Sequence, residues 1–194
     1  MSASLEAIRD AGAGRSGDAR TLRFITPADD GWTIAPQDEP VTPRAGLVLS
    51  MAQWLELRAQ WPQQLAVGVA LPNDAELAPI VADLPRLSLI VLDFPKWTDG
   101  RAYSQARVLR VRHRFAGELR ASGQVIADMA AQLYRTGFDA VALRDGESIE
   151  VAQRMLSRFS AFYQADIRQP LLRFARPQPE TKCAEFLPAT SAVA

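Results

Sequence analysis

Short apolar runs alternate with amphipathic segments through the middle of the chain. The runs are typical of strands that are buried on both faces of a sheet, and they lie in 46–50, 65–71, 87–92 and 139–143. A fifth short strand is predicted over 117–123, where a glycine turn ends it. The amphipathic segments repeat their apolar positions at helical spacing, most clearly in 124–135 and 148–165. Strands that alternate with helices predict an α/β fold with a parallel sheet and right-handed crossovers.

The spacing of these strands leaves two architectures open, an open doubly wound sheet and a partial βα barrel. A complete eight-stranded barrel needs about 250 residues, and this chain has 194. We therefore expect a single α/β domain over residues 46–170, with about five mainly parallel strands.

Two kinds of flanking sequence surround this domain. The stretches 22–26 and 32–34 are separated by turn-forming residues, which predicts an N-terminal β-hairpin. A proline-rich connector completes the region 21–45. The small and polar residues of 1–20 and 171–194 predict flexible terminal segments.

The composition excludes several classes of protein. The 22 basic and 22 acidic side chains balance, which argues against general binding to nucleic acid or to a membrane surface. No apolar stretch reaches about 18 residues, and the N-terminus lacks the apolar centre of a signal peptide. We therefore expect a cytoplasmic protein with no membrane span.

Two local patterns do not lead to a cofactor. Cys183 is the only cysteine, so this chain alone cannot form a disulfide, a four-cysteine zinc site or an iron–sulfur cluster. Gly12, Gly14 and Gly17 match G-x-G-x-x-G, but no apolar strand precedes them. We interpret that match as a coincidence, because the dinucleotide motif requires a strand before it and a helix after it. We predict no metal site.

The segment from Lys96 to Arg114 concentrates positive charge. Six basic side chains against Asp99 alone give a net charge of +5, and they are Lys96, Arg101, Arg107, Arg110, Arg112 and Arg114. The start of the segment follows a buried strand that ends at Asp93, and a helix is predicted over 104–114. Strand, polar loop and helix form the arrangement in which α/β proteins bind ligands, outside the carboxyl end of a strand.

This loop predicts an anion site. Asp99 and Gly100 predict a turn whose backbone amides face an anion, Ser104 is the predicted N-cap of the helix, and Tyr103 adds a phenol. We hypothesise that a phosphate or another oxyanion binds there, with these residues at the site: Asp93, Lys96, Asp99, Gly100, Arg101, Tyr103, Ser104 and Arg120. The alternative is that Asp99 caps the helix and the arginines form a solvated face with ordinary ion pairs.

The helix itself suggests a second surface. Arg107, Arg110 and Arg114 are spaced at i, i+3 and i+7, so a regular helix places them on one face. That face is either a docking site for an acidic partner or a solvated surface. His113, the only histidine, is interpreted as a cation near the end of the helix.

The residues of this region carry a resemblance to a known family. The segment FPKWTDGRAYSQARVLRVRHRFAGELRASGQV, from Phe94 to Val125, is similar to the pattern FPKFxDGRGYSxARxLRxRxxFxGELRAxGxV of DUF934, a bacterial family of proteins of unknown function. The likeness continues in GFDAVALRDGESIEVAQRMLSRFSAFYQA, from Gly137 to Ala165. Trp97 stands where phenylalanine is usual and Ala102 where glycine is usual.

The resemblance implies a role in assimilatory sulfur metabolism, because members of this family are described as oxidoreductases of sulfite reduction. The usual sulfite reductases carry siroheme and an iron–sulfur cluster, which we do not expect this chain to ligate alone. A flavin or nicotinamide at a non-standard site stays open. Two hypotheses follow. The chain is an enzyme or enzyme component that binds a sulfur oxyanion or phosphorylated cofactor at Lys96, Arg101 and Arg120, or a non-catalytic accessory protein that docks on sulfite reductase through its basic helix.

Overall fold

The computed structural model describes residues 21–26, 30–37, 39–159 and 162–169. Its strands are β1 Arg23–Phe24, β2 Thr33–Ile34, β3 Leu47–Ser50, β4 Val67–Leu71, β5 Leu87–Phe94, β6 Glu118–Gly123 and β7 Ala140–Val141. Its α-helices are α1 Met51–Leu57, α2 Arg101–Arg107, α3 Ala130–Arg135 and α4 Ile149–Ser157. Two 3-10 helices span Ala78–Arg86 and Ala127–Met129, and a π-helical turn, Val108–Arg112, continues α2. The predicted terminal segments, the glycine motif and Cys183 lie outside the described residues.

The strands form one parallel sheet of seven, in the order β1-β7-β6-β5-β4-β3-β2. The predicted α/β fold with alternating helices is confirmed, and the five predicted strands correspond to β3 through β7. The predicted hairpin is wrong, because β1 pairs in parallel with β7 and β2 pairs in parallel with β3. Each short strand instead completes one edge of the sheet, which would otherwise leave backbone groups unpaired.

The sheet is curled into a half-barrel, the second of the two architectures left open. A flat sheet would separate β1 from β2 by six strand spacings, about 29 Å. The nine residue steps between Phe24 and Thr33 reach about 30 Å only when fully extended. Curling brings these edges closer together, and the link is tied to the inner face where Asp30 bonds to Arg120.

The main apolar core lies between the outer face of the half-barrel and the helices. Each central strand contributes fully buried side chains, among them Leu49, Val69, Ile90, Leu92 and Leu119. Alternate residues point to the inner face, where Val48 and Leu89 meet over Gly68. A Cβ at Gly68 would lie 3.2 Å from each of those two side chains, so glycine permits the close packing of the inner face.

The helices adjoining the sheet begin at recognisable signals. Ser50 and Gln53 form a capping box at the start of α1, and the Ser148 hydroxyl accepts the Val151 amide at the start of α4. Helix α4 ends at Ser157, earlier than its apolar spacing predicts. No helix in the described ranges has the length and apolar character needed to cross a membrane.

Candidate functional site

Asp93 lies at the carboxyl end of β5, beside Ser122 of the neighbouring strand. It forms no ion pair within the described residues, and burial raises the pKa of its carboxyl group, although a backbone hydrogen bond at Phe94 opposes the shift. A Cβ at Gly123 would lie 2.5 Å from a carboxylate oxygen of Asp93. Glycine at that position therefore leaves room for the carboxyl group at this edge of the sheet.

The Asp99–Arg101 pair occupies the loop that follows. The Arg101 guanidinium donates to both carboxylate oxygens of Asp99, with Nη2 at 2.7 Å from Oδ2. This bond holds the pKa of Asp99 well below its usual range. The positive charge of Arg101 is therefore largely neutralised by a residue two positions away in the chain.

The start of α2 differs from the prediction. The helix begins at Arg101 after Gly100, so Ser104 lies within its first turns, exposed to solvent, and is not the N-cap. The N-cap position is Gly100, and the Asp99 carboxylate accepts the backbone amide of Arg101. The helix begins early because this Asp–Gly turn already supplies the acceptor that a helix start requires.

Tyr103 is partly buried and packs against the core. Its ring makes an edge-on contact with Phe94 at 5.1 Å between centroids, and a perpendicular contact with Phe138 at 6.4 Å. Burial raises the pKa of its phenol to about 12. The side chain therefore packs α2 against the outer face of the sheet, and the phenol stays protonated near neutral pH.

Arg120 lies on the inner face in the middle of β6. Its side chain is only 5% exposed and forms ion pairs with Asp30 at 2.7 Å and with Glu118 at 3.1 Å. Glu118 also pairs with Arg23 of β1. Two arginines and two acids therefore form a balanced cluster, although Arg120 Nη2 is close to Glu118 without the geometry of a hydrogen bond.

The cations predicted to share one anion therefore have separate surroundings. Arg101 is paired within its loop and Arg120 within the inner face. Lys96 is exposed next to Trp97, whose side chain is 55% exposed. Sequence reasoning missed the acids that neutralise Arg120. Glu118 could have been found from its position two residues away on the same face of the strand, whereas Asp30, 90 positions away, gives no local signal.

The arginines after Arg101 also have two different environments. Arg110, 13% exposed, points inward, donates to the carbonyls of Phe115, Gly117 and Gly137, and pairs with Asp139. The prediction that Arg110 shares a docking face with Arg107 and Arg114 is therefore wrong. The regular i, i+3, i+7 spacing fails because the backbone becomes π-helical at Val108.

The outward side of the same segment carries exposed side chains. Arg107, Val111, Arg112 and Arg114 form what we call the arginine surface, and Val111 is 57% exposed. None of these three arginines forms an ion pair within the described residues. Sequence reasoning had not singled out Val111, although one apolar residue between exposed arginines is a signal that could have found it.

A pocket of about 350 Å³ adjoins this surface at the amino edge of the sheet. Its walls are largely apolar and include Val81, Leu84, Leu87 and Phe115, and Arg114 is a charged residue in its lining. In the ranges that the structure describes, no three His, Cys, Asp or Glu side chains are grouped to hold a metal ion. The described features are thus a carboxyl edge where Arg101 is paired with Asp99 and an amino edge with exposed arginines.

Comparison with family models gives one match. Residues 68–174 match DUF934, described as a bacterial protein of unknown function. The chain belongs to the DUF934 family. No curated protein matches it. The DUF934 match begins inside β4 and includes Asp93, the Asp99–Arg101 loop and the arginine surface, whereas Asp30 and the first three strands lie before it.

Proposed function

We propose that this DUF934 protein works in sulfur assimilation as a component that docks on sulfite reductase, the enzyme whose product leads to cysteine. Family membership suggests the metabolic role. The docking role is supported by one observation, the exposed and unpaired arginines of the arginine surface. The partner surface is expected to be acidic, because association neutralises charges that have no ion-pair partner among the described residues.

The local sequence supports a strong positive electrostatic field at the arginine surface. Residues 101–115 include five arginines and no aspartate or glutamate, and the two inward or loop-bound members are already paired. The exposed Val111 adds an apolar contact at the centre. Arginine around an apolar centre is a combination that protein interfaces favour over the rest of a protein surface.

Co-purification with sulfite reductase tests this proposal. The double variant Arg107→Glu/Arg112→Glu is expected to weaken association by about a hundredfold, because it opposes like charges across the interface. Arg44→Glu/Arg158→Glu is the matched control, since it changes net charge equally at exposed positions outside the arginine surface. Association that survives the first variant, or that the control abolishes equally, would contradict docking through this surface.

A second candidate function is supported by Lys96. This cation is exposed at the carboxyl edge and has no ion pair within the described ranges, and Trp97 beside it offers an exposed ring. An oxidoreductase component could bind a sulfur oxyanion or the phosphate of a flavin or nucleotide there. Calorimetry with sulfite, sulfate, FMN and adenine nucleotides is expected to show binding that Lys96→Ala abolishes. Absence of heat near millimolar concentrations would contradict this candidate.

A further inference from the structure

The backbone at Arg114 is unusual. With a φ of 52°, it is the only non-glycine residue with positive φ within the described part of the chain. The left-handed conformation ends the π-helical turn, where the amide of Phe115 bonds to the carbonyl of Leu109 at 3.0 Å. Glycine normally occupies such positions, because a Cβ makes this conformation unfavourable.

Within the described residues, no ion pair explains arginine at this position. Arg114 is exposed and forms no ion pair in the described ranges. Arg110, four residues earlier, shows what an arginine with a structural role looks like here, since it bonds to three carbonyls and a carboxylate. A residue kept in an unfavourable backbone conformation without an internal partner indicates a role in binding.

The pocket beside Arg114 suggests what is bound. Leu84, Leu87 and Phe115 line it and are each at most 6% exposed, so the walls belong to the folded core. A volume of about 350 Å³ accommodates one large apolar side chain. Arg114 lines the pocket and has no ion pair within the described residues, and the exposed Arg112 lies two residues earlier in the chain. These cations favour acids next to that apolar side chain.

We propose that Arg114 and this pocket bind a short acidic segment of the partner protein that carries one large apolar anchor. The anchor fills the pocket and neighbouring carboxylates pair with Arg114 and Arg112. This inference rests on the proposed docking function and adds the chemistry of the segment that is recognised. The left-handed conformation directs the Arg114 side chain to the pocket instead of continuing the helix.

A panel of short fluorescein-labelled peptides tests this inference by fluorescence anisotropy. Each peptide carries a single leucine or phenylalanine flanked by glutamates, and its control carries serine instead. We expect the anchored peptides to bind at least about tenfold more tightly than their controls. If no member of the panel binds, or if serine binds as well as leucine and phenylalanine, the proposed pocket is wrong.

The variant Arg114→Gly separates binding from structure. It is expected to raise the melting temperature while weakening peptide binding by at least about tenfold, because it relieves the backbone and removes the cation. Arg114→Asn, which tolerates the left-handed conformation, is expected to weaken binding with little change in melting temperature. Loss of stability in Arg114→Gly, or unchanged binding in both variants, would contradict the inference. Peptide binding without association to sulfite reductase would reject that partner and leave the pocket standing.

Discussion

Helix α2 and its π-helical extension carry arginines at both ends, but the two ends have opposite electrostatic surroundings. At the carboxyl edge of the sheet, Arg101 is bound by Asp99. Farther along, toward the amino edge, Arg107, Arg112 and Arg114 are exposed without an ion pair in the described ranges. The difference teaches that the number of arginines does not make a binding surface. What decides is whether an acid of the same chain lies within reach.

The largest expected effect distinguishes an inward arginine from an outward one. Arg110→Met should lower the free energy of unfolding by about 3 kcal/mol, because three carbonyls lose their donor and Asp139 loses a buried partner. Arg107→Met is the control and should change it by less than about 0.5 kcal/mol. Urea titration measures both values. An equal loss of free energy of unfolding in the two variants would show that the inward Arg110 and the outward Arg107 do not differ in their contribution to stability.

The next effect concerns the backbone of the arginine surface. Arg114→Gly should raise the free energy of unfolding by about 0.5 to 1 kcal/mol, because glycine adopts a positive φ without a steric cost. Arg112→Gly, inside the π-helical turn, should instead lower it by about 1 kcal/mol. Thermal unfolding of the two variants gives the signs. Destabilisation by both would mean that the Arg114 side chain stabilises the fold.

A smaller, pH-dependent effect is expected at Asp93. Its pKa is raised in the folded chain, so the fold favours the protonated carboxyl group, and this contribution is lost as the pH rises through the folded pKa. Asp93→Asn cannot ionise. Its melting temperature relative to the unmodified chain should therefore increase from acid, below the ordinary pKa of 3.8, to neutral pH. A difference that is constant with pH would show that Asp93 is not destabilised by burial.

The smallest effect is expected at the exposed Asp99–Arg101 pair. Arg101→Ala should leave the free energy of unfolding nearly unchanged, because the Arg101 side chain is 57% exposed and its ion pair is screened by water. The pKa of Asp99 should rise toward its usual range when Arg101 is removed. Carboxyl NMR titration follows that change. If the pKa of Asp99 is the same with and without Arg101, Arg101 does not stabilise the charged form of that carboxyl group.

The fold was predictable where local pattern determines it. Apolar runs such as 87–92 located the central strands, and their alternation with helices predicted the parallel sheet. The strands β1 and β2 were predicted from 22–26 and 32–34, but their pairing was not, because each has two residues and its partner is chosen by the whole sheet. The break in helical spacing at Val108 was equally hidden, since no proline or glycine marks the π-helical turn.

The candidate site was predictable only in part. The sequence located the cationic segment, and the match to the family covers it. Ion pairs with acids divide the arginines of that segment into neutralised and exposed ones, and the spacing of the arginines in the sequence does not reveal this division. Asp99 is close in sequence to the cation it neutralises, whereas Asp139 is 29 positions from Arg110 and Asp30 is 90 positions from Arg120. Only the folded chain shows which guanidinium groups stay available to a partner.

The most direct test of the arginine surface is an equilibrium titration of sulfite reductase with three forms of the chain at low ionic strength. The unmodified chain and Arg44→Glu/Arg158→Glu are expected to bind with similar dissociation constants, whereas Arg107→Glu/Arg112→Glu should bind about a hundredfold more weakly. Equal binding by all three forms, or no binding by the unmodified chain, would contradict the account.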